Sequence, residues 1–360
     1  MKIFKLCILI LIAAVIPLLV FVIAKSYSKI EKEVEAEPKG PMMKWPYHAL
    51  WIVLGACYGL TMRVAFSNLP QFFGAQVISI AFMLGTPFAI GAIVVYGLRD
   101  AKPSILRMIY APWAAILLAL LGSMISLLEG SVCIVLVSPL FFIASSIGGL
   151  VMGLTLRWTG RGKTTLNSIL ALPLILMVFE SAVPQQSRLL EDRVSVDVAA
   201  SPHRIWEEIL TARNIRKDEI PANFTHWTGV PRPVEGVNVM TPQGEVRYSK
   251  WERGVNFSAL VTKRVEDRSI TWRYNFTPNS FPPGSLDNHV KVGGKYFDVE
   301  DTTFNLTPIS DKLTHLEVVS HYRVTTDVNF YGVPVARFIA KDFMSTIVHL
   351  YKLRSERSAS

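Results

Sequence analysis

The sequence predicts a two-part protein. An α-helical transmembrane bundle comes first, and an α+β domain follows in which a curved antiparallel sheet wraps around a long C-terminal helix. Residues 1–183 consist largely of apolar runs of membrane-spanning length. Later segments alternate apolar and polar side chains, as half-buried strands do. Residues 332–354 repeat apolar side chains at helical spacing.

Composition and charge limit the class of protein. The chain has 360 residues, of which 51% are hydrophobic, and this is too apolar for an ordinary soluble enzyme. Its positive charge is uneven, with a net +7 in residues 1–185 and a net +2 in residues 186–360. The excess positive charge therefore belongs to loops that flank apolar segments, where it indicates which loops lie in the cytoplasm. It does not indicate a nucleic-acid partner.

Six segments meet or approach the roughly 20 apolar residues that a transmembrane helix needs. They are 7–24, 48–62, 75–98, 109–128, 131–156 and 165–183. The second is short and stops at Arg63, so it either crosses with tilt or is re-entrant. The first resembles a signal peptide, but its long apolar stretch without a small-residue cleavage pattern favours a retained anchor. We therefore expect a multi-pass protein of a bacterial cell membrane, with the transmembrane region at 1–185 and the soluble domain at 186–360.

The basic residues of short loops predict the orientation. The loops at 25–47, 99–107 and 157–163 carry 11 Lys and Arg residues, and the opposite set carries 5. Because basic loops stay in the cytoplasm, this bias places the C-terminal domain on the outer face. If one segment does not cross, the domain lies in the cytoplasm instead.

The elements of the second half follow from changes in sequence period. Residues 193–198 alternate and predict a strand. Ser201 and Pro202 suit the cap and first turn of a short helix. A curved sheet covered by the last helix is expected to enclose a cavity, because its open face must be covered. The further predicted strands are 245–252, 254–263, 268–276, 301–307 and 313–325.

Several motifs resemble the START and polyketide-cyclase superfamily, also called SRPBCC, which has the helix-grip fold. The first strand and helix of that superfamily are similar to VSVDVAASPHRIWEEIL here. A bacterial group with a multi-span region before a cyclase/dehydrase-like domain is similar in GVPRPVEGV, VRYSKWERGVNF, DNHVKVGGKYFDV and SHYRVTTDVNFYG. The resemblance covers roughly 188–357. It implies a deep pocket for a lipid, polyketide, sterol or similar apolar ligand, with catalysis in only some branches.

A set of polar and aromatic side chains is predicted to contact this ligand, because apolar walls with a few polar groups suit an amphiphile. Three of its guanidinium groups are candidates to hold a carboxylate or phosphate, and the alternative is that they form surface ion pairs. The predicted ligand-binding residues are Trp227, Arg232, Arg247, Trp251, Asp287, His289, Tyr296, Tyr322 and Arg323.

His289 and His321 are the candidate acid–base residues. His289 lies two positions from Asp287, and His321 precedes Tyr322. No nucleophile with a base and an orienting residue is apparent. The spacing of His, Asp and Glu is not that of a zinc site, and the three cysteines lie in apolar segments, so we expect no metal and no cofactor.

The sequence therefore predicts a membrane-tethered binding module for a lipid-like or other hydrophobic ligand held between the sheet and the C-terminal helix. The expected partners are the lipid bilayer and that ligand. A membrane-bound cyclase/dehydrase-type enzyme on a hydrophobic substrate is the alternative. A transporter or sensor is less well supported, because intramembrane charge is sparse. The identity of the ligand and the oligomeric state stay open.

Overall fold

A computed structural model describes residues 44–68, 78–159, 162–180, 184–287 and 291–357. The chain divides into two compact units. One comprises residues 1–123 with 140–183, and the other comprises residues 124–139 with 184–360. The predicted span at 7–24 lies outside the described residues.

The apolar helices account for the first half of the described chain. Within the described residues, four of them are long and apolar enough to cross a membrane. Ala81–Gly97 forms a shorter apolar helix that begins with a turn of π-helix, Ala81–Gly85. We label the helices α1 (Lys44–Asn68), α2 (Thr86–Gly97), α3 (Ile105–Ile125), α4 (Ser131–Trp158) and α5 (Gly162–Glu180).

The short predicted segment 48–62 is part of the longer helix α1. Arg63 does not end this helix, because its guanidinium donates to the Ser67 hydroxyl one turn further on and the residue stays buried. Because a hydrogen bond within the helix offsets the cost of burying the guanidinium, the apolar helix can continue past Arg63.

Small residues let α2 and α4 approach closely. A Cβ added to Gly91 would lie 1.9 Å from the Ser145 carbonyl oxygen, and one added to Gly148 would lie 1.9 Å from the Phe88 carbonyl oxygen. Such contacts are typical of helices that pack by van der Waals interactions in an apolar medium.

The described residues 184–287 and 291–357 of the second unit form an eight-stranded antiparallel sheet in the order β1-β8-β7-β6-β5-β4-β3-β2 and three α-helices. This confirms the predicted fold class of apolar helices followed by a curved antiparallel sheet with a long C-terminal helix. The strands are β1 (Ser187–Val198), β2 (Thr211–Ala212), β3 (Pro233–Thr241), β4 (Gly244–Trp251), β5 (Asn256–Val265), β6 (Ser269–Asn275), β7 (Phe297–Ser310) and β8 (Leu313–Thr325). The helices are α6 (Pro202–Leu210), α7 (Phe224–Thr228) and α8 (Asn329–Arg357).

Local sequence signals explain these elements. The Ser201 hydroxyl caps α6 by accepting from the Arg204 N–H at 3.4 Å, and Pro202 fills the first turn. Register shifts at Val261/Lys263 and Val299/Asp301 insert extra residues into β5 and β7. Such bulges bend strands and strengthen their twist, which curves the sheet toward one face.

One half of the space between the sheet and α8 is filled by side chains. Trp206 and Ile209 of α6 pack there against Leu316 of β8 and Val348 of α8, and all four are almost fully buried. Tyr351 closes the same cluster from α8. The expectation of an enclosed cavity does not hold for this half, since aliphatic and indole groups occupy it.

Candidate ligand-binding site

The other part of the interface between the sheet and α8 is lined by aromatic rings, each of which contacts the next. Phe343 of α8 stacks on Trp251 with ring centres 5.3 Å apart. Trp251 meets the edge of Phe257 at 5.4 Å, Phe257 contacts Phe276 at 5.2 Å, and Phe276 stacks on Tyr274 at 5.7 Å. All five are half-buried, in contrast to the filled half. We call these five residues the aromatic cluster.

A buried carboxylate joins β1, β8 and α8. Asp192 accepts from the Tyr322 hydroxyl, and its other oxygen lies 2.8 Å from Arg337 Nη1 and 3.4 Å from Lys341 Nζ. The Asp192 side chain is only 2% exposed. Burial, followed by the hydrogen bond to Asp192, raises the pKa of Tyr322, so its proton stays on the hydroxyl at neutral pH. Asp192 is therefore paired with Tyr322 of the sheet and with Arg337 and Lys341 of α8, and these contacts attach α8 to the sheet.

Hydroxyl groups form a polar strip on the same inner face. Thr302 Oγ1 and Ser320 Oγ lie 3.0 Å apart across β7 and β8, and both residues are buried. Burial raises the pKa of Tyr274, the phenol of the aromatic cluster, which keeps it neutral. Neutral hydroxyls among aromatic rings are the lining expected of a site for an amphiphile.

Arg247 lies in the filled half, on the inner face of β4. Its guanidinium donates to the Ile209 carbonyl at 2.6 Å, to Asn238 Oδ1 at 3.1 Å and to the Tyr351 hydroxyl at 3.0 Å. It also lies 4.2 Å above the Trp272 ring. The protein itself uses this predicted anion-binding group to link β4, α6 and α8.

His226 is a buried residue that the sequence analysis did not single out. It lies on α7, whose cap Asn223 accepts from the His226 N–H at 2.9 Å. Gly229 follows the helix with φ +115°, a conformation that L side chains rarely adopt. This turn brings the Val230 carbonyl 3.0 Å from His226 Nδ1. Burial is the main cause that lowers the pKa of His226, so the ring is neutral at pH 7.

The His226 ring borders the aromatic cluster. It meets Phe343 edge to face with centres 6.0 Å apart and is 8% exposed. A carbonyl oxygen only accepts, so the bond to Val230 requires the proton on Nδ1 and leaves Nε2 as a bare acceptor. Within the described residues, Nε2 has no hydrogen-bond partner.

The structure places His321 and Arg323 on the outer face of β8. His321 Nδ1 lies 2.7 Å from Asp301 and its Nε2 lies 3.2 Å from Glu191. Arg323 lies 3.6 Å from Asp298. Because successive strand residues point to opposite faces, Tyr322 points inward while both neighbours point away from α8.

Of two other predicted residues, Trp227 belongs to α7 and Arg232 follows it. Trp227 is 73% exposed and contacts Phe224 with ring centres 5.8 Å apart. The Arg232 backbone N–H donates to Glu252 Oε2 at 3.2 Å. Neither side chain is among the aromatic contacts that define the cluster.

The remaining predicted residues belong to the loop before β7. Asp287 accepts from the Cys133 N–H at 3.1 Å, and both residues belong to the second unit. It thereby satisfies one of the free N–H groups in the first turn of α4. The Tyr296 carbonyl accepts from the Thr325 N–H at 2.9 Å. His289 lies outside the described residues.

The topology decides the fold: a single antiparallel sheet has β1 and β2 at its two edges, and its inner face contacts α6 and the long terminal helix α8. The C-terminal half is a helix-grip domain. The fold predicted from the resemblance to START and polyketide-cyclase proteins is thus confirmed for the described part of this half.

Known proteins of similar structure cover the same helix-grip domain. The Zhui aromatase/cyclase from Streptomyces sp. R1128 is 13% identical, with 48% of this chain and 97% of that chain covered and a TM-score of 0.32. A START superfamily protein from Mycobacterium smegmatis is 15% identical, with 47% and 98% covered and a TM-score of 0.28. Norcoclaurine synthase from Thalictrum flavum is 11% identical, with 49% and 99% covered and a TM-score of 0.28.

These likenesses carry no argument about a ligand or reaction, since identity is low and each TM-score is below 0.5. No family model and no curated protein matches the chain. The helix-grip assignment therefore depends on the topology of the sheet and helix, and function has to be argued from the site itself.

Proposed function

We propose that the chain is a membrane-tethered receptor that binds a lipid-like or other hydrophobic molecule between the sheet and α8, against the aromatic cluster. The observation that carries this proposal is the contrast between the two parts of the interface. Aliphatic and indole side chains are almost fully buried in one part, whereas the rings of the aromatic cluster are half-buried, and of these Tyr274 also packs against the buried part.

The incomplete burial of these rings supplies a driving force for binding. Removing apolar surface from water stabilises by about 25 cal/mol per Å², so a ligand that covers about 100 Å² of the cluster gains about 2.5 kcal/mol. The rings also offer flat faces on which an extended or ringed hydrocarbon packs well. The neutral hydroxyls of Tyr274, Thr302 and Ser320 provide partners for a polar group on the same molecule.

The apolar helices support the membrane part of the proposal. Four helices in the described residues have the length and composition of membrane spans. A tether to the bilayer keeps the domain at high local concentration near membrane-dissolved ligands, and this gain needs no new contact.

Binding is favoured over the cyclase/dehydrase alternative by the positions of the candidate acid–base groups. His321 faces away from α8 and is paired with two carboxylates. On the inner face, Asp192 and Arg247 are both held by protein partners. The imidazole that borders the aromatic cluster, that of His226, is neutral and holds its Nδ1 proton on the Val230 carbonyl, so it offers a ligand an acceptor but no acid.

Native mass spectrometry of the purified full chain tests this function. We expect one apolar molecule per chain to survive removal of detergent. Phe343→Ser removes a ring of the aromatic cluster and is expected to lose most of this molecule. The matched control is Phe330→Ser, which changes an exposed ring on the same helix and is expected to keep it. A wild-type chain without such a molecule, or equal retention in both variants, would contradict the proposal.

A further inference from the structure

The free Nε2 of His226 is the polar atom beside the aromatic cluster that the fold leaves without a partner in the described residues. Its acceptor state follows from geometry, because the 3.0 Å contact from Nδ1 to the Val230 carbonyl fixes the proton on Nδ1. A buried acceptor without a hydrogen bond is costly, and native proteins usually satisfy such groups with protein, water or ligand.

The charged groups around His226 do not supply the missing donor. Asp342 accepts from the Thr225 N–H at 2.7 Å and from the Thr225 hydroxyl at 2.6 Å. Glu252 accepts from the Arg232 N–H at 3.2 Å. Both carboxylates accept hydrogen bonds only, and within the described residues the Arg232 guanidinium makes no hydrogen bond to Nε2, so the donor has to come from outside these groups.

The surroundings separate His226 from other buried atoms that lack partners. Trp272 Nε1 also has none, but it lies in the filled half, at 2% exposure, beneath Arg247. His226 instead contacts Phe343, whose ring stacks on Trp251, and both of these rings are half-buried. A molecule that covers the cluster therefore comes within reach of the imidazole.

We propose that His226 Nε2 accepts a hydrogen bond from the ligand, so the ligand is an apolar molecule that carries an alcohol or phenol hydroxyl. This inference rests on the proposed binding function and specifies its chemical class. The hydroxyl donates its proton to Nε2 while the hydrocarbon part packs on the aromatic cluster. A site built around a free acceptor discriminates against analogues that cannot donate, because binding them leaves the acceptor buried and unpaired.

A matched pair of probes tests the inference on the full chain in lipid nanodiscs. The probes are 2-naphthol, which has a phenol proton, and 2-methoxynaphthalene, which has none. Equilibrium dialysis against the chain, with partition into empty nanodiscs subtracted, is expected to show a preference for 2-naphthol of about fivefold to tenfold, the size of one net hydrogen bond. His226→Phe keeps a ring against Phe343 and is expected to bind both probes equally. Trp227→Phe changes the exposed neighbour and is expected to keep the preference.

Each outcome decides between the two proposals. If the wild type binds both probes equally and Phe343→Ser abolishes the binding, the receptor function stands and the role of His226 is overturned. A preference that persists in His226→Phe also overturns it. If neither probe binds, both proposals are contradicted. If His226→Phe does not fold, the imidazole ¹⁵N signal of wild-type Nε2 decides: we expect it to move with 2-naphthol only, and no movement means that water alone satisfies this atom.

Discussion

His321 illustrates, at the residue scale, how the face of a strand determines what a side chain can do. Its imidazole lies between Asp301 and Glu191 on the outer face of β8. The hydrogen bond to Asp301 is the largest cause that raises the pKa of His321. Hydrogen bonding to Arg193 and then to His321 lowers the pKa of Glu191, so its negative charge persists throughout the neutral range. The arrangement is a surface ion-pair network that favours protonated histidine.

This network predicts a pH dependence of stability. Because the folded-state pKa of His321 is above the unfolded value, its contribution is fully present below the unfolded pKa of about 6.5 and is lost as pH rises through the folded pKa. The melting temperature of wild type should therefore exceed that of His321→Gln at about pH 6 and approach it at higher pH. Since the side chain is partly exposed, we expect a small effect that salt reduces.

The matched control for this measurement is His349→Gln. His349 is exposed on α8, and its ring contacts the Ser345 carbonyl at 2.7 Å. A difference between wild type and His321→Gln that stays constant across the pH range would contradict the assigned ion pairs. So would an equal pH dependence in the His349→Gln comparison.

The sequence predicted the faces of some site residues and missed the roles of others. The alternation along 313–325 puts Leu316, Val318 and Tyr322 on one face, and the structure buries all three. The role of His226 depends on Val230, which a left-handed glycine turns toward it, and on Phe343, more than 100 positions away. Arg247 is similar, since its partners Ile209 and Tyr351 come from two distant helices. Contacts of this kind leave no local pattern in one sequence.

At the element scale, a carboxylate of α8 holds the first turn of α7, and the contacts of Asn223 with Thr346 and of Phe224 with Phe338 add to this attachment. Asp342 accepts from both the backbone N–H and the hydroxyl of Thr225. The helix has only five residues, so its own hydrogen bonds do not stabilise it in isolation. We infer that the position of His226 beside the aromatic cluster depends on this attachment.

Asp342→Ala is expected to weaken the attachment of α7 to α8 while leaving the sheet intact. Loss of hydrogen bonds to a charged group costs about 2 kcal/mol, which corresponds to roughly 30-fold less protection from amide hydrogen exchange. Exchange measured by mass spectrometry should show this loss in residues 224–230 and unchanged protection in β8. Asp311→Ala, in the exposed turn after β7, is the control and should change neither. Loss of protection across the whole sheet would contradict a local role for Asp342.

Element boundaries were predictable where the alternation is unbroken. The strand predicted at 313–325 spans Leu313–Thr325. The strand predicted at 301–307 is longer, Phe297–Ser310, because a bulge at Val299/Asp301 shifts the alternation that marks its start. The last helix spans Asn329–Arg357 and so begins three residues ahead of the predicted stretch 332–354, with Pro334 inside it. A proline within the first turns of a helix is tolerated because few intrahelical bonds are lost there.

At the scale of the whole molecule, each of the two units contributes a different part of the account. The apolar helices supply candidate spans, and the helix-grip domain supplies a sheet–helix interface that is filled in one half and aromatic in the other. Composition and hydropathy predicted apolar helices followed by an antiparallel sheet with a long last helix, whereas the compact units also assign residues 124–139 to the unit of the sheet. The partial filling was not predictable, because it depends on which side chains of α6 reach the inner face of the sheet.

Photoaffinity labelling tests the central claim most directly. A long-chain alcohol that carries a diazirine is added to the full chain in nanodiscs and activated by light, and the labelled peptides are identified by mass spectrometry. We predict covalent adducts at the ends of β4 and β6, at the start of β5 and around Phe343 of α8, with competition by unlabelled alcohol. Adducts confined to the apolar helices α3, α4 and α5 would contradict a ligand site between the sheet and α8.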